Sequence, residues 1–205
     1  MSILKKLFDV THYNLAEWIS FLRLLSVPFV VAFVLLDWRV LAGVAYLISF
    51  SSDALDGFIA RRYDLESDRR GRLDSVADEF LLATGVLALY CFETEFFIQH
   101  LVLIVATLGM YLFQLGFSLF RYGTFSSFHT ISARIAAVVQ AAFFTTVILL
   151  GVVPWLFFLM IAISAVELIE ENLLIAIFPR WRAHVNGIYW VWRDRKQKPE
   201  QKISH

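Results

Sequence analysis

The amino-acid sequence predicts an all-α, polytopic membrane protein, and its composition gives the first two reasons. Of the 205 residues, 59% are hydrophobic and only 18% are charged, whereas soluble domains carry roughly 25% charged residues. Twenty phenylalanines and six tryptophans leave more apolar surface than a core of this size can hide, so the surplus must face lipid. The same composition excludes a disordered chain, and the single Cys91 excludes a disulfide framework.

The third reason is the length of the apolar stretches, because a membrane-spanning helix needs about 20 mainly apolar residues. Six stretches qualify, near 18–37, 40–60, 75–94, 98–119, 132–151 and 153–178. The connections between them are too short for separate domains, so we expect residues 18–178 to form one six-helix membrane domain. Residues 1–17 read as an interfacial amphipathic segment with a short helix at 2–10, and residues 179–205 as a basic, aromatic tail that anchors on anionic lipid.

The basic residues indicate the sidedness of the chain. An even number of spans places both termini on one side, and of the 18 Lys and Arg residues all but Arg39 fall at, beyond or close to one membrane face. The positive-inside rule assigns this face to the cytoplasm. We therefore expect a multi-pass protein of the cytoplasmic membrane with both termini inside. Because 18 acidic residues balance the 18 basic ones, a nucleic-acid partner is not expected.

Four aspartates lie where the second and third predicted spans meet the cytoplasm: Asp53, Asp56, Asp74 and Asp78. A carboxylate at the hydrocarbon boundary is costly unless it is paired or bound to metal. The spacings of three and four residues place each pair on one helix face, and we expect the two helices to be antiparallel neighbours joined by a loop at 62–73. Two divalent cations would neutralise the four charges, and all-oxygen ligation favours Mg²⁺ or Mn²⁺.

The residues beside these aspartates suggest a pyrophosphate substrate. Gly57 and Ala60 leave one helix face with little side-chain bulk, so a flat or phosphorylated ligand can approach the backbone. Arg61 offers a guanidinium fork for phosphate oxygens. The alternative is that the aspartates form salt bridges with the arginines of this segment, which are Arg61, Arg62, Arg69, Arg70 and Arg72.

This set of residues resembles the signature of the class I CDP-alcohol phosphatidyltransferases, D-x2-D-G-x2-A-R-x8-G-x3-D-x3-D. The matching residues are Asp53, Asp56, Gly57, Ala60, Arg61, Asp74 and Asp78. One position departs, because the second glycine of the signature falls on Arg70 and the chain has its glycine one place later, at Gly71. Upstream, residues 14–23 are similar to the N-x5-[ST]-x2-R opening of the family's first span.

The resemblance implies an enzyme that transfers a phosphatidyl group from CDP-diacylglycerol, or a similar CDP-alcohol, to an alcohol acceptor and releases CMP. It implies that Asp53 and Asp74 bridge two Mg²⁺ or Mn²⁺ ions. Asp56 and Asp78 would complete the two sites, and Asp78 would also be the general base for the acceptor hydroxyl. The implied CDP-binding residues are Gly57, Ala60, Arg61, Ser67, Glu17 and Ser20. The resemblance also implies a homodimer.

The acceptor site is predicted from four later residues: Arg121, Arg134, Glu167 and Glu171. The arginines suit a phosphorylated acceptor such as glycerol 3-phosphate, which would make the chain similar to phosphatidylglycerophosphate synthase. That branch has a Gly-Lys-x-Lys pattern, of which Arg134 takes the first lysine position and Ala136 the second. Alternatively, the arginines are ordinary cytoplasmic charges, and the glutamates, as intramembrane acids, pair for structure.

Two other functions stay open at this point. A membrane prenyltransferase also binds a pyrophosphate through magnesium and aspartate-rich motifs, although it does not need Gly57, Ala60 and Arg61 together. A membrane scaffold or transporter would use the same acids for structure alone. Stabilisation by CDP or CMP, by a prenyl pyrophosphate or by neither would distinguish the three.

Overall fold

The computed structural model of the chain describes residues 15–63, 68–122 and 130–178, with side chains described for 17–52, 76–122 and 130–178. These residues form α-helices and no strand. The helices are α1 (Leu15–Leu35), α2 (Arg39–Tyr63), α3 (Asp68–Phe92), α4 (Thr94–Gln99), α5 (Leu101–Tyr122), α6 (Ile131–Leu150) and α7 (Pro154–Ile177). Most of the predicted interfacial segment and the predicted tail, residues 179–205, lie outside the described residues.

The all-α prediction is confirmed, and each of the six predicted apolar stretches coincides with one of the six long helices. Six membrane spans are not confirmed. Within the described residues, three helices are long and apolar enough to cross a membrane, at Glu17–Leu35, Leu101–Tyr122 and Ile131–Leu150. The described side chains of α2 form a shorter apolar stretch at Arg39–Ser52, whereas α3 begins in a charged segment and α7 carries three glutamates.

The prediction of a loop at 62–73 is wrong. Helix α2 continues to Tyr63 and α3 begins at Asp68, which leaves residues 64–67 as the connection. The error arose because hydropathy locates the edge of the hydrocarbon and not the end of the helix. Four arginines lie in the helical part of this segment, arginine is a good helix former, and a helix that leaves the hydrocarbon can continue in water.

The chain divides into two compact units, Met1–Phe97 with Ala141–Val153 and Ile98–Gln140 with Pro154–His205. In the first unit α1 packs along both α2 and α3, whereas α2 and α3 contact each other sparsely. The buried face of α1 repeats every three or four residues, as expected for a helix. It consists of Glu17, Ser20, Arg23, Val27, Val30 and Val34. This face is therefore polar near the start of α1 and apolar beyond it. In the second unit α5 packs against α7.

Two glycines allow close helix packing in the first unit. A Cβ atom added at Gly43 would collide with the side chain of Leu149, and one added at Gly85 would lie 2.5 Å from Cγ of Phe144. In the second unit, by contrast, a Cβ atom at Gly116 would meet no atom within 4 Å. Gly43 and Gly85 are thus required by packing, and Gly116 is not.

Arg39 joins the helix ends at one end of the first unit, where α1 ends and α2 begins. Its guanidinium lies 3.5 Å from Glu93 and 3.8 Å from Asp37, and it donates a 2.9 Å hydrogen bond to the carbonyl of Phe92. Asp37 has a φ of 58°, a left-handed conformation that aspartate tolerates better than most residues. The predicted site lies on the opposite end, where α1 begins, α2 ends and α3 begins.

Candidate active site

The aspartates of the signature lie on two consecutive helices, with Asp53 and Asp56 in α2 and Asp74 and Asp78 in α3. Residues seven apart in a helix share a face, because seven residues make nearly two turns. Position 53 therefore follows the face of the buried Tyr46, and position 74 precedes the face of the buried Leu81.

Asp78 is the signature aspartate whose side chain the structure describes, and it is paired with an arginine of α1. Nη1 of Arg23 lies 3.2 Å from Oδ1 of Asp78. The two partners differ in their surroundings, because the Arg23 side chain is 1% exposed and the Asp78 side chain is 54% exposed. A buried guanidinium thus holds a carboxylate that stays accessible.

Two hydroxyl groups, those of Ser26 and Ser49, connect α1 with α2 close to this pair. The Oγ of Ser26 donates to the carbonyl of Arg23 at 2.7 Å and lies 2.7 Å from the Oγ of Ser49. One turn further along α2, Ser52 donates to the carbonyl of Ser49, also at 2.7 Å. The backbone at Arg23 is thereby joined to α2, in the turn that precedes Asp53.

Two predicted CDP-binding residues lie on the same face of α1 as Arg23. Glu17 is 4% exposed and Ser20 is fully buried. The structure therefore places both at the same end of the unit as the aspartates of α2 and α3. The side chains of Gly57, Ala60, Arg61 and Ser67 lie outside the described ones, and nucleotide binding stays a prediction for the whole set.

Sequence reasoning did not identify the contact between Arg23 and Asp78 or the serines beside it. A signal for Arg23 was present, since Glu17, Ser20 and Arg23 recur at three-residue intervals in an otherwise apolar helix. Such spacing indicates a polar stripe on one helix face. The partner of that stripe, however, depends on which helix packs against α1, and hydropathy alone does not determine this.

The predicted metal site can be tested against the described residues at Asp78. Carboxylate oxygens are the ligands that Mg²⁺ and Mn²⁺ prefer, and the exposure of Asp78 leaves its carboxylate within reach of an ion, so this residue fits. No group of three or more His, Cys, Asp or Glu side chains that could hold a metal occurs among the described side chains, which do not include those of Asp53, Asp56 and Asp74. The two-metal site stays a prediction.

The second unit contains a separate polar cluster between its helices. Nε2 of Gln114 in α5 donates to Oε2 of Glu171 in α7 at 2.5 Å, and both residues are 2% exposed. The hydroxyl of Ser132 donates to Glu170. Nε2 of Gln140 donates to the hydroxyl of Ser164 at 2.9 Å. Glu170 and Glu171 thus accept hydrogen bonds from neutral side chains.

The structure gives the two predicted acceptor-binding arginines different surroundings. Arg121 lies at the end of α5, where it donates to the carbonyls of Phe178 and Ala176 at 3.2 and 3.3 Å. It therefore satisfies carbonyl groups at the end of α7. Arg134 lies exposed in the first turn of α6. Acceptor binding by these residues, by Glu167 and by Glu171 stays a prediction.

Comparison with known proteins identifies the family. The sequence profile of the CDP-alcohol phosphatidyltransferases matches residues 13–176, which includes all of the described helices except the last residue of α7. One similar protein is the cardiolipin synthase (CMP-forming) / mitochondrial hydrolase fusion protein of Schizosaccharomyces pombe, 33% identical over 82 residues. The match covers 40% of this chain and only 14% of that protein. On the extent of the profile match, the chain belongs to the CDP-alcohol phosphatidyltransferase family.

Proposed function

We propose that this membrane protein transfers a phosphatidyl group from CDP-diacylglycerol, or a similar CDP-alcohol, to an alcohol acceptor and releases CMP. The observation that carries the proposal is the set of four aspartates with Gly57, Ala60 and Arg61 on two consecutive helices, in a chain that belongs to this family. The donor has lipid tails and a water-soluble nucleotide. A site at the end of membrane-embedded helices suits such a substrate.

The reaction requires a base for the acceptor. The acceptor hydroxyl oxygen forms a bond to the phosphorus that carries diacylglycerol, and the bond from that phosphorus to the CMP oxygen breaks. A hydroxyl is a weak nucleophile at neutral pH, so its proton must pass to a nearby carboxylate as the new bond forms. The accessible carboxylate of Asp78 is proposed for this role.

The negative charge of the pyrophosphate must be balanced in the same place. Two Mg²⁺ or Mn²⁺ ions, when bound by Asp53, Asp56, Asp74 and Asp78, would neutralise the phosphates and the departing CMP. Arg61 would bind phosphate oxygens through its guanidinium fork. Gly57 and Ala60 would leave room for the nucleotide, while Glu17, Ser20 and Ser67 complete its proposed site.

The acceptor is proposed to be a glycerol compound. Arg121 and Arg134 would favour glycerol 3-phosphate, but Ala136 stands where that branch of the family has a second lysine. The cardiolipin-forming relative favours phosphatidylglycerol, because joining its terminal hydroxyl to a phosphatidyl group gives cardiolipin. We further propose a homodimer in the cytoplasmic membrane with the site on the cytoplasmic side.

CMP release from CDP-diacylglycerol tests the proposal. Purified protein in micelles with Mg²⁺ or Mn²⁺ is given glycerol 3-phosphate, phosphatidylglycerol, inositol phosphate, serine or glycerol, and the lipid product is identified. We expect CMP release with one of these acceptors. Release with none of them, combined with consumption of a prenyl pyrophosphate, would favour the prenyltransferase. Release with none and no stabilisation by CDP would favour the scaffold.

Substitution of the proposed base tests its role. Asp78→Asn is expected to lower turnover about 100-fold or more, because general-base catalysis contributes at least that factor. Asp37→Asn is a matched control, since Asp37 lies at the opposite end of the first unit with a side chain that is 82% exposed. Full turnover in Asp78→Asn would refute the assignment.

A further inference from the structure

Arg23 needs an explanation beyond helix packing. Its guanidinium is almost fully buried in the first unit, and a buried charge is costly unless it is paired and hydrogen-bonded. An apolar side chain at this position would avoid that cost, so packing alone does not require this arginine. The part of this helix face beyond Arg23 is packed without charged groups, because Val27, Val30 and Val34 fill it with apolar side chains.

The pair with Asp78 is asymmetric in a way that suits the positioning of a carboxylate. In an ordinary surface salt bridge both side chains are mobile, and the pair contributes little. Here the packing of α1 against its neighbours encloses the arginine, while the aspartate keeps 54% of its side chain exposed. The buried Arg23 therefore restrains Oδ1 of Asp78 and leaves the carboxylate accessible to a ligand.

The arginine is itself held in place through its backbone. The hydroxyl of Ser26 restrains this segment, because it donates to the Arg23 carbonyl and also contacts Ser49 of α2. Arg23 is thus linked to α2 through its main chain and to α3 through its side chain. These are the two helices that carry the signature aspartates.

We propose that Arg23 is a positioning residue for the reaction: it orients the Asp78 carboxylate to receive the proton of the acceptor hydroxyl. This inference rests on the proposed function. Loss of the arginine should leave Asp78 in several rotamers, of which few are productive. Residues that orient a metal ligand or a base in this way typically contribute 10- to 100-fold to activity or metal affinity.

Kinetics of two Arg23 variants test the inference. Arg23→Met is expected to lower kcat about 10- to 100-fold, with KM for CDP-diacylglycerol unchanged, because the interaction acts on the transition state and not on donor binding. Arg23→Lys should fall between Arg23→Met and the natural protein, since lysine keeps the charge but lacks the planar fork. If Arg23→Met does not fold, the lysine variant alone is compared with the natural protein, and an unchanged kcat would then refute the role.

Arg39→Met is the matched control for the loss of an interhelical arginine. Arg39 also pairs with carboxylates in the first unit, but at the opposite end. Its removal should lower the unfolding midpoint and leave kcat per folded molecule unchanged. If Arg23→Met behaves in the same manner, Arg23 has a structural role and the proposal is wrong.

Two further measurements separate positioning from simple charge balance. In the Asp78→Asn background, Arg23→Met should cause no further loss of turnover; an additive loss would contradict the inference. Titration of Mn²⁺ followed by electron paramagnetic resonance should show affinity weakened about tenfold in Arg23→Met, because the ligand is no longer oriented. Tighter Mn²⁺ binding would mean that Arg23 only offsets charge. If the natural protein releases no CMP, the proposed function fails, while this titration still tests the orientation of Asp78.

Discussion

Gly85→Ala offers a quantitative test of the packing in the first unit. The added Cβ atom would lie 2.5, 2.7 and 2.9 Å from three ring atoms of Phe144, whereas ordinary van der Waals contact begins at 3.4 Å. The ring would have to move by about 0.9 Å. It is only 3% exposed, so there is little space to receive it. Overpacking of this kind typically costs about 1–3 kcal/mol.

Gly116→Ala is the matched control for this change. Both substitutions replace a helix-interior glycine by alanine, which favours the helix by up to about 1 kcal/mol. At Gly116 the methyl group meets no atom within 4 Å. The gain in helix propensity cancels when the two variants are compared, so their difference in free energy of unfolding isolates the collision with Phe144.

Unfolding in mixed micelles, followed by tryptophan fluorescence, measures this difference. We expect Gly85→Ala to be less stable than Gly116→Ala by about 1–3 kcal/mol, a factor of roughly 5 to 150 in the unfolding equilibrium. Equal midpoints with equal denaturant dependence would refute the proposed approach of α3 to the Ala141–Val153 segment. Lower stability of Gly116→Ala would mean that its open face is covered by another molecule.

Two other predictions concern the metal ions and the second unit. Chelation with EDTA should abolish CMP release, and Mn²⁺ should restore it and raise the unfolding midpoint, because a ligand that binds only the folded protein stabilises it; activity that survives chelation would contradict the metal mechanism. Gln114→Leu should lower stability by about 1–3 kcal/mol, since the buried Glu171 loses this donor. Gln140→Leu, which removes the bond to Ser164, should lower stability less. Equal losses of stability in the two variants would show that the hydrogen bond to Glu171 contributes no more than the bond to Ser164.

The helices were predictable from sequence because apolar stretches and long helices coincide in this chain. The short length of the charged connection between α2 and α3 was not predictable in this way. Hydropathy ended the second helix near residue 60 and began the third near 75, yet both helices continue and leave only 64–67 between them. The helix propensity of the arginines was the available signal, but it is weak compared with the change in hydropathy.

The candidate site was predictable only in part. The spacing of the aspartates indicated their helix faces, because spacing within one helix is a local property. The contact of Arg23 with Asp78 joins residues 55 apart, and it depends on how α1 packs. Similarly, the hydrogen bond from Gln114 to Glu171 spans 57 positions. A local pattern indicates that a polar residue is buried, but not which residue of another helix it meets.

The packing order of the first unit changes how the signature should be understood. The sequence suggested that α2 and α3 face each other directly, with two acidic pairs between them. In the structure α1 packs extensively against both helices, and the contact between α2 and α3 is sparse. The placement of the two helices that carry the signature therefore depends on a helix outside it. Since that helix also supplies a buried guanidinium to Asp78, substitutions on the polar face of α1 should alter the geometry of the aspartates even though every aspartate is retained.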